Sequence, residues 1–437
     1  MTDEMEQSKT PLPLEDLSFE ITRNAVLVSQ YLHSGGFPQP SHEADGPSST
    51  IPRDSPQNIR EARQNLIEAS LKMFQLALGP TEYLPNLATG FQYLSCLSWL
   101  CHYNIFHIVP LDGTIGYDKV ASTANVSEQR LKSITRMAMT NGLFREPVPG
   151  QLAHSATSAF LTRNPDAYAW ATFMCTKSAP TALAMVDAHK RWGPETVQKN
   201  ETAYNVAFET ELPFFDHLSL DQAEVNRFAA YMRNVTSSEG VNVKHLVTGY
   251  DWETLGDSKV VDVGGSTGGA AIALARAYPR LNFVVQDLDA NAQRGSENAK
   301  SLPGKIRSRI AFQGHDFTQP QPVKDADIYL LRMILHDWPD NEAIKILNNI
   351  IPAMEKRGSR LLIMDSVLPH PGDVPVSLER IIRVRDLTMM QSFNSKERSL
   401  DDWQRLLESA NGNLRLVKVT QPFGSAMSIL EVAVGSG

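Results

Sequence analysis

"VVDVGGSTGGAAIALARAYPRLNFVVQDLD", residues 260–289, decides how the second half of the chain folds. A short apolar run ends at Gly264-Gly265, an alanine-rich helical stretch follows, and a second apolar run closes on Asp287. Strand, glycine turn, helix and strand in that order make half of a nucleotide-binding sheet. Glycine lets the chain turn sharply with no Cβ in a ligand's way, and an acid at the next strand end can accept hydrogen bonds from ribose hydroxyls. The plainer reading of the glycines is a tight strand-to-helix connection.

Outward from this stretch the pattern continues. RIAFQGHD, ADIYLLRMIL, SRLLIMDSVLP and LRLVKVT read as strands, alternating with helical runs such as NEAIKILNNII. Continuous apolar strands between helices predict an α/β domain with a mostly parallel, Rossmann-like sheet covered on both faces. Ligands bind beyond the carboxyl ends of such strands, where Gly264, Asp287, Asp316 and His336 all fall. The spacing G-G-S-T-G-G after Asp262 is not G-x-G-x-x-G, and an acidic approach disfavours a pyrophosphate. It suits a cationic ligand such as S-adenosylmethionine.

RMILHDWPD, residues 332–340, places an imidazole where an apolar strand stops. His336 is either a base aimed into a site or a polar residue at a helix edge, with Asp337 or Asp340 capping the helix that follows and Pro339 in its first turn. Capping explains the aspartates and the proline but not a histidine beside other strand-end acids.

The remainder is less specific. With 437 residues, 42% hydrophobic and 21% charged, the chain is long enough for two domains, and a formal charge of −8 offers no footprint for nucleic acid. Cys96, Cys101 and Cys175 form neither a disulfide framework nor a zinc spacing, which fits a cytoplasmic protein. Its acidic start lacks the features of a signal peptide, and the most apolar window, FQYLSCLSWLCHYNIFHIVPL, is interrupted by Gln92, His102, Asn104 and His107. A buried helix is expected there and no membrane span. Helices are expected over 14–33 and 58–78, with a Gly-, Pro- and Ser-rich linker between them. Residues 115–155 read as two helices, the second capped near 125–127, and two short extended pieces: a winged-helix pattern, used for DNA or for packing on a partner chain. Its candidate recognition helix carries only Arg130, Lys132 and Arg136, against Glu128.

Four motifs in order then carry a resemblance. VVDVGGSTGG, VVQDLD, GHDF and LLRMILHDWPD, with ELPFFDHL and GYDW upstream, resemble the S-adenosylmethionine-dependent O-methyltransferases of the caffeic-acid type in their fungal natural-product branch, over residues 65 to 435. Residues 1–55 read as an N-terminal arm, and the resemblance implies a helical winged-helix dimerisation domain (56–250) and a Rossmann-like methyltransferase domain (251–437). It assigns Gly264 and Gly265 to the methionine part of the cofactor, Asp287 to the ribose, Asp316 and Phe317 to the adenine, and Arg332 to the cofactor's vicinity. It makes His336 the general base, flanked by Asp365 and Glu397; plant relatives commonly have glutamate where Asp365 stands. It also implies a homodimer and a small hydroxylated acceptor. Some fungal relatives with this fold instead catalyse dehydration or pericyclic ring closure.

The chemistry fits those residue types. Methyl transfer to oxygen is an in-line displacement, so alignment supplies much of the rate. A phenol near pKa 10 needs a base, and a histidine near 6.5 is largely unprotonated at pH 7. A carboxylate on the other ring nitrogen fixes the tautomer, and no metal is required. Phe173, Met174, Met389 and Met390 either hold a flat acceptor or pack in the core.

Overall fold

The computed structural model describes residues 13–354 and 358–435. Its contacts group into two compact units, one running up to Thr176 with Pro375–Leu378, the other comprising Lys177–Val374 and the chain from Glu379 onward.

In the first unit, helices Pro13–Ser34 and Gln57–Leu78 lie where apolar residues recur at helical spacing, and they bury Val28, Leu32, Ile59 and Ala62 together. The polar stretch between them is tied down: Ile51 joins that core and Glu43 bridges to Ser155. Gly79, at φ +65°, closes the second helix. The interrupted apolar window, 91–111, divides between the end of helix Tyr83–His102, which buries Cys96, Leu97 and Leu100, and the short helix Ile105–Ile108 after left-handed Asn104. Helices Tyr117–Ala124 and Glu128–Met139 meet at left-handed Asn125, and the Ser127 hydroxyl accepts the Arg130 N–H. Strands β1 (Ile115–Gly116), β2 (Arg145–Val148) and β3 (Gln151–Ala153) form an antiparallel sheet in the order β1-β3-β2. Two cations of the candidate recognition helix are already paired, Lys132 with Glu128 and Arg136 with Glu146.

The second unit carries β4 (Lys259–Val263), β5 (Asn282–Asp287), β6 (Ile310–Gly314), β7 (Ile328–Arg332), β8 (Arg360–Asp365), β9 (Val367–Leu368), β10 (Arg398–Ser399), β11 (Leu414–Thr420) and β12 (Ser428–Val434). Seven of them make one sheet in the order β11-β12-β8-β7-β4-β5-β6. Its five central and edge strands from β8 to β6 are parallel, while β11 and β12 run antiparallel at the other edge. Alternation along the strands supplies two cores. Val261, Val263, Tyr329 and Leu331 pack with helices Asp340–Ile350 and Leu400–Ala410. Val260, Ile328, Leu330 and Met364 pack with helix Gly269–Ala277 and with Val241, Leu246 and Trp252. Beside the main sheet, β9 and β10 pair in parallel, Arg398 opposite Val367. Among the described residues no helix is long and apolar enough to cross a membrane.

Candidate active site

The parallel strands end on one side, and their ends present the residues of interest. After β4 the chain turns at Gly264, φ +73°, where an added Cβ would lie 2.5 Å from Ile334 Cδ1. At Gly265 a Cβ would come within 2.6 Å of the Asp262 carboxylate, and its N–H donates to the Gln286 carbonyl at 2.9 Å. Only glycine leaves this cradle open. Asp287, at the end of β5, accepts N–H groups from Ser266 (2.8 Å) and Leu288 (2.9 Å) and the Asn291 side-chain amide (2.8 Å). Three of a carboxylate's roughly four acceptor sites are therefore in use, leaving about one for a ribose hydroxyl. Accepting from both ribose hydroxyls would require one of these donors to move.

Behind the turn, Asp262 is buried with one oxygen that has no hydrogen-bond partner. Burial lifts its carboxyl to about 6, against the pull of Arg332. Arg332 ends β7 and donates to the Val241 carbonyl; burial lowers its pKa. An orphaned acidic oxygen, a glycine cradle and an acid at the next strand end suit a ligand that is cationic at one end and carries a sugar. The S-adenosylmethionine expected from the sequence fits that donor set. Phe317 lies beside Gly264 and meets Trp338 edge-on, ring centroids 5.5 Å apart, while Asp316 is exposed and accepts the Thr318 N–H. Lys199 sits 3.6 Å over the Trp338 ring.

The ends of β7 and β8 build something different. His336 lies in a 3₁₀ turn, Leu335–Asp337, and its Nδ1 is 2.9 Å from Glu397 Oε1. Nδ1 is also 4.0 Å from Asp365 Oδ1, and Nε2 is 3.6 Å from Asp337 Oδ1. The Glu397 contact has hydrogen-bond length; the other two are charge contacts. With the Nδ1 proton assigned to the bond with Glu397, Nε2 is left to accept. Asp365 is fully buried, and neither of its oxygens has a hydrogen-bond partner. One methylene shorter than glutamate, its carboxylate stays outside hydrogen-bond range of the ring.

Three acids around one ring change its chemistry. Burial opposes a charged imidazole, but Asp337, Glu397 and Asp365 outweigh it and push His336 up to about 10. Burial, joined by repulsion from Glu397 and Asp337, raises Asp365 to about 7. Asp337 is raised by burial as well. The expectation of a histidine near 6.5 is thus corrected: a sequence does not reveal how many carboxylates will face one ring. The cluster titrates as a unit.

Asp337 is the residue sequence reasoning misplaced, as a helix cap. Helix Asp340–Ile350 has Pro339 at its N-cap, Asp337 turns to the imidazole, and Asp340 is engaged by Arg398 and Lys396. The signal was its place beside His336, indistinguishable from capping without coordinates. Arg398 gives no signal in sequence either, standing within a run of charges. Of the apolar residues considered for the acceptor, Met174 packs against the first unit's core, Phe173 is buried, Met389 is half-buried and Met390 exposed.

Residues 194–412 match the O-methyltransferase domain family. The chain is similar to "O-methyltransferase pgmB" of Aspergillus terreus, 60% identical over 430 residues, 98% of this chain and 97% of that one. To "O-methyltransferase aurJ" of Gibberella zeae it is 47% identical over 432 residues, 97% and 98% of the two chains. Among solved structures, that of OxaC superposes with a TM-score of 0.77 at 22% identity, covering 96% of this chain and 98% of that one, a likeness of fold.

Proposed function

The chain belongs to the O-methyltransferase family, and on that premise we propose that His336 is the general base of a transfer to a phenolic or enolic hydroxyl. The enzyme uses S-adenosylmethionine and methylates a small molecule of fungal secondary metabolism. The observation that carries the proposal is the 2.9 Å contact from Nδ1 to Glu397, which leaves Nε2 without a hydrogen bond.

We assign the cofactor's methionine part to Gly264, Gly265 and the Asp262 side of the turn, its ribose to Asp287, and its adenine to Asp316, Phe317 and the adjoining Trp338, with Arg332 behind. When bound, S-adenosylmethionine supplies a methyl group on a positively charged sulfur. His336 takes the hydroxyl proton on Nε2 as oxygen attacks. Glu397 keeps the ring in one tautomer and stabilises the imidazolium, and Asp337 and Asp365 add their charge. A base raised toward 10 is matched to a phenol's pKa, at the cost of being mostly protonated at neutral pH.

We further propose that residues 56–250 serve dimerisation and residues 251–437 catalysis, with the arm before them. Tyr83, Leu84, Leu87 and Phe91 are all more than half exposed on one helix, and such apolar surface marks an interface. The three cysteines, unpaired in the structure, support a reducing, cytoplasmic setting. Incubating the protein with methyl-labelled S-adenosylmethionine and a panel of phenols tests the reaction. Label is expected as an aryl methyl ether; label remaining on the cofactor while the phenol is consumed would favour a dehydration or pericyclic role.

A further inference from the structure

Arg398 is completely buried, yet it does not touch the imidazole. It opens β10 directly after Glu397, and the two neighbouring side chains go to different partners. Glu397 reaches His336. Arg398 reaches the backbone that carries His336: Nη1 donates to the Leu335 carbonyl at 2.7 Å and Nη2 to the Trp338 carbonyl at 2.8 Å. Nε and Nη2 also donate to Asp340 Oδ1, at 2.9 and 2.7 Å, and the guanidinium lies 5.2 Å from the Trp403 ring. The accepting carbonyls bracket the histidine, one before it and one two residues after it.

We propose that Arg398 is the positioning residue for the base, holding the 335–340 turn so that the ring meets the carboxylate carried by Arg398's own neighbour. The inference rests on His336 being that base. The β9–β10 pairing sets Arg398 opposite Val367, two residues beyond Asp365, so one segment ties together all three pieces of chain that build the cluster. A flat guanidinium has fixed donor directions and can grip two carbonyls and a carboxylate together; a lysine ammonium cannot reproduce that fork. Burying a whole guanidinium against a carboxylate that is itself 48% exposed is a costly way to gain stability alone, since the buried charge is desolvated.

The two ways Arg398 could influence His336 have opposite signs. As a nearby positive charge it disfavours an imidazolium, so removing it would raise the histidine's titration midpoint. As a clamp it keeps the ring among Asp337, Asp365 and Glu397, so removing it would let the ring withdraw and the midpoint fall toward the ordinary 6.5.

The test is an NMR titration of His336 in the full chain, with labelled histidine and the signal assigned by His336→Gln, for Arg398→Lys and Arg398→Met. S-adenosylhomocysteine binding by calorimetry reports whether each variant retains the rest of the site. The expected result is a midpoint lowered by about one pH unit or more in a variant that binds S-adenosylhomocysteine like the parent. A midpoint unchanged or raised in such a variant overturns the proposal. So does loss of cooperative melting and of binding in both variants, which would give Arg398 to the fold at large. Failure of the underlying reading is separate: His336→Ala that turns over normally would remove the base and leave the titration result standing.

Discussion

The end of β5 and the ends of β7 and β8 lie on the same side of one sheet, yet they treat acids in opposite ways. Asp287 at the first is half-exposed and accepts three hydrogen bonds, two of them from neighbouring backbone. Asp365 at the second is fully buried with no hydrogen bond at all, facing an imidazole along with Asp337 and Glu397. Satisfied polar groups make a receptor that holds its shape. Buried acids short of donors make a reservoir of negative charge that raises a base, which is the arrangement found where protons move.

The contrast can be broken from either side, beginning with the largest expected effect. Glu397→Gln should lower turnover by about 10²- to 10⁴-fold, the range for losing a base's orientation, with S-adenosylhomocysteine affinity retained in calorimetry. Asp287→Ala should do the reverse, weakening cofactor binding by about tenfold or more for a lost hydrogen bond to a charged acceptor, while maximal turnover at saturating cofactor changes little. Gly264→Ala should weaken cofactor binding by about tenfold, since φ +73° costs an L-residue on the order of 1–2 kcal/mol and the new Cβ meets Ile334. If any of the three moves both quantities together, the two ends do not act separately.

A gentler perturbation sharpens the comparison. Asp365→Asn should cost less than about tenfold in turnover, because Asp365 makes no hydrogen bond to the ring, and it should shift the pH profile to lower pH. The sign follows from the charges. The active form of His336 is the neutral one, and its pKa stands near 10, so kcat/KM should rise with pH well past 7. Removing a carboxylate that favours the imidazolium lowers that pKa and brings the rise to lower pH. A rate that peaks near pH 6.5 would deny that the acids act on the ring.

The same contrast governs what the sequence disclosed. Gly264, Gly265 and Asp287 belong to one strand–turn–helix–strand stretch, and local geometry forces the glycines, so that end was readable from thirty residues. The parallel strands were equally plain, being apolar on both faces. Strand β12 and its antiparallel run with β11 were not, because an apolar strand carries the same pattern in either direction. At the other end His336 and Glu397 are sixty-one positions apart, so only the family resemblance pointed to their pairing; the β9–β10 pairing that helps bring them together leaves no local pattern. Asp337 could have been a cap as readily as a neighbour of the ring, and Arg398 read as one more charge in KERSLDD.

In the proposed reaction His336 accepts the proton from the hydroxyl that attacks the methyl group. The direct measurement is His336→Ala, followed by labelled methyl transfer to a phenol the parent protein methylates, alongside S-adenosylhomocysteine binding. A fall in turnover of about 10²-fold or more with unchanged binding is the predicted result. Turnover equal to the parent's would contradict it.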